Sequence, residues 1–132
     1  MTDEIINKGI ESKRLMVGDW VCLKDDVQYE SPMKVDGILV HNISLEGEGS
    51  LGDADEIISP IPLTAEIMEK NGFNRYYESN FYSLLNGFNV AIADEHYITS
   101  AFNVDITVYY VHELQHALRL CGFNDIADNF KV

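Results

Sequence analysis

The string His112-Glu113-Leu114-Gln115-His116 is where this chain comes nearest to a known chemistry. On an α-helix, residues four apart lie one above the other on one face, so two imidazoles can grip a single zinc ion. The glutamate between them then acts as general base on the metal-bound water. Read this way, His112 and His116 are metal ligands, Glu113 is the catalytic base, zinc is the cofactor, and the chain is a minimal zinc-dependent hydrolase of peptides.

Three features weigh against that reading. Zinc needs a third protein ligand, usually C-terminal to the string, yet residues 117–132 contain no histidine, and Asp125 and Asp128 fall beyond the expected helix stop at Gly122. The longer HExxHxxGxxH pattern fails, because Arg119 stands at the glycine position and Gly122 at that of the third histidine. Upstream, His41, Asp94, Glu95 and His96 are available, but their spacing selects none of them. Finally, Arg119 puts a permanent cation one turn beyond His116, which opposes a bound dication unless a carboxylate neutralises it. The competing reading makes the string part of a packed helix, with no catalytic residue and no metal ligand. In that reading the basic groups near the helix C-terminus complement its dipole.

The element carrying the string is a helix expected near Val108 to Leu120 and closed by Cys121-Gly122. At 100° per residue, Tyr110, Val111, Leu114, Ala117, Leu118 and Cys121 gather on one side. His112, His116 and Arg119 lie opposite, in solvent or hydrogen-bonded to a neighbouring sheet. Before this helix, Arg75-Tyr76-Tyr77, Phe81 to Leu85 and Phe88 to Ala93 read as extended. Asn86-Gly87 is the strongest hairpin signal in the chain. His96 to Thr99 and Val104 to Ile106 add short strands. A compact helix is expected after the extended Ser59-Pro60-Ile61-Pro62-Leu63, with Thr64 as cap, Ala65 to Lys70 as body and Asn71-Gly72 as stop.

The N-terminal half is different. Leu15 to Leu23 is β-rich and interrupted at Gly18-Asp19. Lys24-Asp25-Asp26 is a turn, and Met33-Lys34-Val35 and Ile38-Leu39-Val40 flank an Asp36-Gly37 turn or bulge. Ile43 to Leu45 is a strand, Glu46 to Ser50 a flexible loop, and Glu56 to Ser59 a last extended piece. Short strands between Gly and Asp turns predict a curled antiparallel sheet or SH3-like barrel. The fold class is therefore α+β. A polar arm (1–14) precedes one domain (15–132), made of a β-rich part (15–59) and a helix–hairpin–helix part (60–132).

Composition bounds the function. A chain of 132 residues with 46% hydrophobic content and only 3 prolines has the material for a real core. The excess of 22 acidic over 9 basic residues, a net charge of -13, repels nucleic-acid phosphates and anionic lipid headgroups. Ordinary nucleic-acid binding is disfavoured, although a small barrel or an acidic DNA mimic stays a secondary expectation. Basic protein partners suit this surface. With no long apolar run and no secretory h-region, neither membrane spanning nor export is expected, and cytoplasm is the default location. Cys22 and Cys121 form no CxxC pair and read as buried apolar side chains. No phosphate loop, Ser-His-Asp arrangement or Cys-His pair offers further chemistry.

Two longer strings add a resemblance. Pro60-Ile61-Pro62-Leu63-Thr64, with Glu66-Ile67 and Glu69-Lys70-Asn71-Gly72-Phe73, and then Tyr110-Val111-His112-Glu113-Leu114-Gln115, resemble two boxes of a family of small proteins from Bacteroidetes and their phages or integrated elements. The resemblance spans roughly residues 15 to 125 and includes the Gly18-Asp19-Trp20-Val21 opening. It implies that the position of His116 is typically asparagine and that the position of Glu113 varies, so the HExxH string arises by chance within a helix motif built on His112 and Gln115. The family carries no established activity. The resulting expectation is a non-enzymatic interaction or accessory protein of phage or mobile-element type, with an unknown protein partner. Tyr76, Tyr77, Phe81 and Tyr82 are its expected aromatic hairpin, core in the first instance and interface in the second.

Overall fold

The computed structural model describes residues 9–10, 14–75, 79–84, 87–93, 95–101 and 103–132, without the side chains of Ser50, Leu51 and Val104. The chain divides into two compact units, Met1–Ile61 and Pro62–Val132. Each described part holds one five-stranded antiparallel sheet, so the protein is α+β.

Unit 1 contains β1 (Trp20–Leu23), β2 (Met33–Leu39), β3 (Asn42–Leu45), β4 (Gly49–Asp53), the single-turn α1 (Ala54–Ile57) and β5 (Ile58–Ser59). The strand order is β4-β3-β2-β1-β5. The sheet is an open one, not a closed SH3-like barrel. Its two ends, β4 and β5, are separated by the helical turn α1, and the two-residue β5 offers little edge to pair. Alternate inward residues (Val21, Val35, Ile43, Leu45) meet Ile58, Ala54, Leu15 and Ile10 in a buried cluster. Ile10 thus belongs to the core, and most of the expected arm before it lies outside the described residues.

Asp36-Gly37 resolves as a bulge: the β2–β3 register shifts between Val35 and Gly37. The Gly18-Asp19 interruption is a turn. Gly18 sits at φ 96°, a region closed to most side chains, and the buried Asp19 carboxylate accepts from the Met16 amide at 2.8 Å. Across β1 and β2, Trp20 faces Lys34, whose Nζ sits 5.3 Å from the ring centroid. Two expectations shift here. Ser50 belongs to β4 instead of a flexible loop, and Glu56-Ile57 are helical, not extended.

Cys22 is buried in β1, and its thiol is pushed up to about 12, first by burial, then by a hydrogen bond with Asp26 and that carboxylate's charge. Asp26 itself is held below the usual carboxylate range by the amides of Ser31 and Glu30, which donate at 2.9 and 3.0 Å. An unfolded thiol ionises near pH ~8.5. A folded pKa above that value gives a stability contribution complete below pH ~8.5 and lost as pH rises through the folded pKa. Urea titrations followed by Trp20 fluorescence should therefore weaken between about pH 8 and pH 10, and weaken less in Cys22→Ala. Equal losses in the two proteins would show that the buried thiol is not responsible.

Unit 2 contains α2 (Ala65–Lys70), β6 (Asn74–Arg75), β7 (Phe81–Ser83), β8 (Asn89–Ile92), β9 (Tyr97–Ala101), β10 (Val104–Val108), α3 (Val111–Leu120) and α4 (Asn124–Asp128). Its strands run in sequence order as an antiparallel meander. Thr64 caps α2, its Oγ1 accepting from the Ile67 amide at 3.2 Å, and Gly72 ends the turn at φ 85°. The Asn71 side chain then clamps the end of the chain. Its Nδ2 donates to the Ile67 and Lys131 carbonyls at 2.7 and 2.8 Å, and its Oδ1 accepts from the Lys131 amide at 2.8 Å. The extended Pro62-Leu63 bridges to Tyr110, and the Tyr97 hydroxyl donates to the Leu63 carbonyl at 3.2 Å. Tyr97 is pushed above its ordinary pKa by burial and then by Tyr82. In the core, Phe88 sits edge-on to both Phe73 and Phe123. Asn86 and Tyr76-Tyr77 lie outside the described residues; of the other aromatic hairpin residues, Tyr82 is buried and Phe81 exposed.

Candidate functional site

Helix α3 begins one residue after Tyr110, whose backbone is extended at φ -126° and ψ 159°. The first N–H groups of any helix lack partners within it and must be satisfied from outside. Glu113 does this here. Its Oε1 accepts from the Tyr109 amide at 2.8 Å and from the Tyr110 amide at 3.0 Å. This is the reach-back half of a capping box, with the negative charge placed at the positive end of the helix dipole. The carboxylate named as a general base is thus turned toward its own backbone.

His112 is 5% exposed and stacks on Tyr110 with ring centroids 6.0 Å apart and planes 9° from parallel. Of the two settings expected for it, solvent or a hydrogen bond to a neighbouring sheet, this burial excludes solvent. His116, one turn on, meets His112 edge to face at 5.6 Å. The two histidines are therefore brought together, while Glu113 is not aimed at them. Among the described residues, no group of three or more His, Cys, Asp or Glu could hold a metal ion. His96 instead packs against Tyr109 at 5.5 Å, His41 lies in unit 1, and Asp94 lies outside the described residues.

The remaining polar residues of α3 also hold structure. Gln115 is fully buried, and its Nε2 donates to the Ala127 carbonyl of α4 at 3.1 Å. This bond ties α3 to a second helix, α4. Arg119, with a side chain 11% exposed, places Nε 3.6 Å from Asp128 Oδ1, again on α4. An open cleft of about 330 Å³ lies between Lys70, Asn71, Asp125, Ile126, Asn129 and Lys131, and no residue of the HExxH string lines it. No helix of the described residues is long and apolar enough to cross a membrane.

A second feature was missed in the sequence because Ile38-Leu39-Val40 read simply as strand. At the β2–β3 hairpin these three consecutive apolar residues are exposed, Ile38 by 37% and Leu39 and Val40 by 74% each. Val40 sits at φ 54°, where a left-handed backbone costs an L-residue roughly 1–2 kcal/mol and β-branching makes it a true outlier. Hairpin loops normally put Gly, Asn or Asp there. The signal in the sequence was a tight reversal at Val40-His41 with no turn-forming residue.

Fold and site together define an α+β protein of two open antiparallel sheets, whose HExxH string is built into a helix start. Comparison with models of known families, with curated proteins and with solved structures returns no match.

Proposed function

We propose that the chain is a non-enzymatic interaction protein, of the accessory type expected of phages and mobile elements. The observation that supports this most is the commitment of Glu113 to the Tyr109 and Tyr110 amides. A general base has to reach a proton on water or substrate, and this carboxylate is occupied by two backbone donors. The net charge of -13 favours a basic protein as partner over nucleic acid.

The alternative is the minimal zinc hydrolase, with His112 and His116 as ligands. It is favoured by one observation, the 5.6 Å approach of the two imidazoles. Elemental analysis after purification without added metal, paired with a peptide-hydrolysis assay, separates the two. The interaction reading expects sub-stoichiometric zinc that His116→Ala leaves unchanged, and no hydrolysis. Stoichiometric zinc with hydrolysis abolished by Glu113→Gln would replace it with the enzyme reading.

A further inference from the structure

We propose that the Ile38-Leu39-Val40 knuckle and the carboxylates beside it form a docking surface for a basic protein segment with an apolar face. The inference rests on the interaction reading above and gives it a location and a partner chemistry.

The knuckle breaks two local rules at once. Three consecutive exposed apolar residues are normally avoided on a surface, and a β-branched residue is normally avoided at positive φ. Any small polar turn residue would relieve both, and the left-handed backbone alone is costly for an L-residue. Conflicts of this kind cluster where a chain meets something else.

The surroundings identify the partner. In the sheet register Leu39 faces Asn42, and Asn42 faces Asp53, so the three lie side by side on one face. Two strand spacings put Asp53 about 10 Å from Leu39. The Ala54 amide donates to the His41 carbonyl at 3.0 Å, which pins the start of α1 to the hairpin loop. That contact brings exposed Asp55 and Glu56 next to the knuckle as well. An apolar tip bordered by three carboxylates repels an anionic bilayer and nucleic acid. A second copy would bring the same charges against itself. A segment with Lys or Arg flanking an apolar anchor satisfies both parts of the surface.

The test uses the full chain and three short synthetic peptides: an amphipathic Leu/Lys helix, its Leu/Glu counterpart, and a Lys/Gln peptide without an apolar face. Binding is followed by isothermal titration and by amide chemical shifts. The Leu/Lys peptide should bind, with shifts centred on residues 38–42 and 53–56, and the other two should bind at least tenfold more weakly. Leu39→Ser should weaken the Leu/Lys complex about tenfold at any salt concentration. The triple change Asp53→Asn, Asp55→Asn, Glu56→Gln should weaken it and flatten its salt dependence. Val40→Gly should raise the urea midpoint while lowering affinity, opposite directions that a purely structural residue would not produce.

Binding of the Leu/Lys peptide left unchanged by these substitutions, or shifts located elsewhere, overturns this surface and leaves the interaction reading standing. Concentration-dependent dimerisation abolished by Leu39→Ser, or binding to phosphatidylglycerol vesicles, overturns the partner assigned. Zinc-dependent hydrolysis lost in Glu113→Gln removes the interaction reading itself, and no knuckle variant touches that readout.

Discussion

Phe88→Ala should be the most damaging single truncation in unit 2, with an expected cost of about 3–5 kcal/mol. Phe88 is fully buried and presents its ring to two others, Phe73 at 6.1 Å with planes 71° apart and Phe123 at 5.6 Å with planes 78° apart. Removing it takes away the transfer energy of the ring and leaves a cavity. It also deletes two edge-to-face contacts, each contributing roughly 0.5–1.5 kcal/mol beyond area burial. A domain of this size has about 5–15 kcal/mol of stability in total, so the loss is a large fraction of it. The ten-residue α3 is the longest helix among the described residues, which makes urea unfolding followed by far-UV circular dichroism a suitable measurement. A cost below about 1 kcal/mol would mean that Phe88 does not hold this core.

Gln115 should come next. Gln115→Leu keeps most of the volume but removes the side-chain donor to the Ala127 carbonyl, which the Phe130 amide also approaches at 3.4 Å, so the change should cost about 0.5–1.5 kcal/mol. Gln115→Ala adds a cavity to the same lost hydrogen bond and should cost more, about 2–4 kcal/mol. Both should lower hydrogen-exchange protection in α4, because this bond ties that short helix to α3. A Gln115→Leu protein as stable as the original, with α4 protection intact, would show that the bond is dispensable.

These residues also show how far the sequence could be read. Where a local rule and the tertiary structure agree, reading succeeds: Thr64, the Ala65–Lys70 body and Asn71-Gly72 give a complete helix, and Asp36-Gly37 gives the bulge. It fails where a distant contact decides the local state. Glu56-Ile57 look extended, yet the His41 carbonyl receives the Ala54 amide and starts a helical turn there. The burial of Gln115 depends on α4, a five-residue helix with no apolar periodicity strong enough to announce itself. A helical wheel assumes one buried stripe, and α3 packs on more than one side, so the stripe omits His112 and Gln115 although both are buried.

Glu113 is the instructive case. A glutamate at the third helical position is a capping signal, but only when the helix start is known. Placing that start at Val108 put Glu113 mid-helix, where HExxH was the only pattern that gave it a role. The observed start at Val111, after an extended Tyr110, converts the same residue into a cap. Tyr110 is not one of the short polar residues that usually mark an N-cap, so the boundary carried no warning of its own.

The central claim, that Glu113 is a structural cap and not a catalytic base, is tested most directly by comparing Glu113→Gln with Glu113→Ala in urea. Glutamine keeps an oxygen for the Tyr109 and Tyr110 amides and gives up only the charge, so Glu113→Gln should cost a few tenths to about 1 kcal/mol. Alanine leaves both amides without that acceptor, and Glu113→Ala should cost about 1–2 kcal/mol. Two variants as stable as the original chain would contradict the account, because a carboxylate that caps nothing is available for other work.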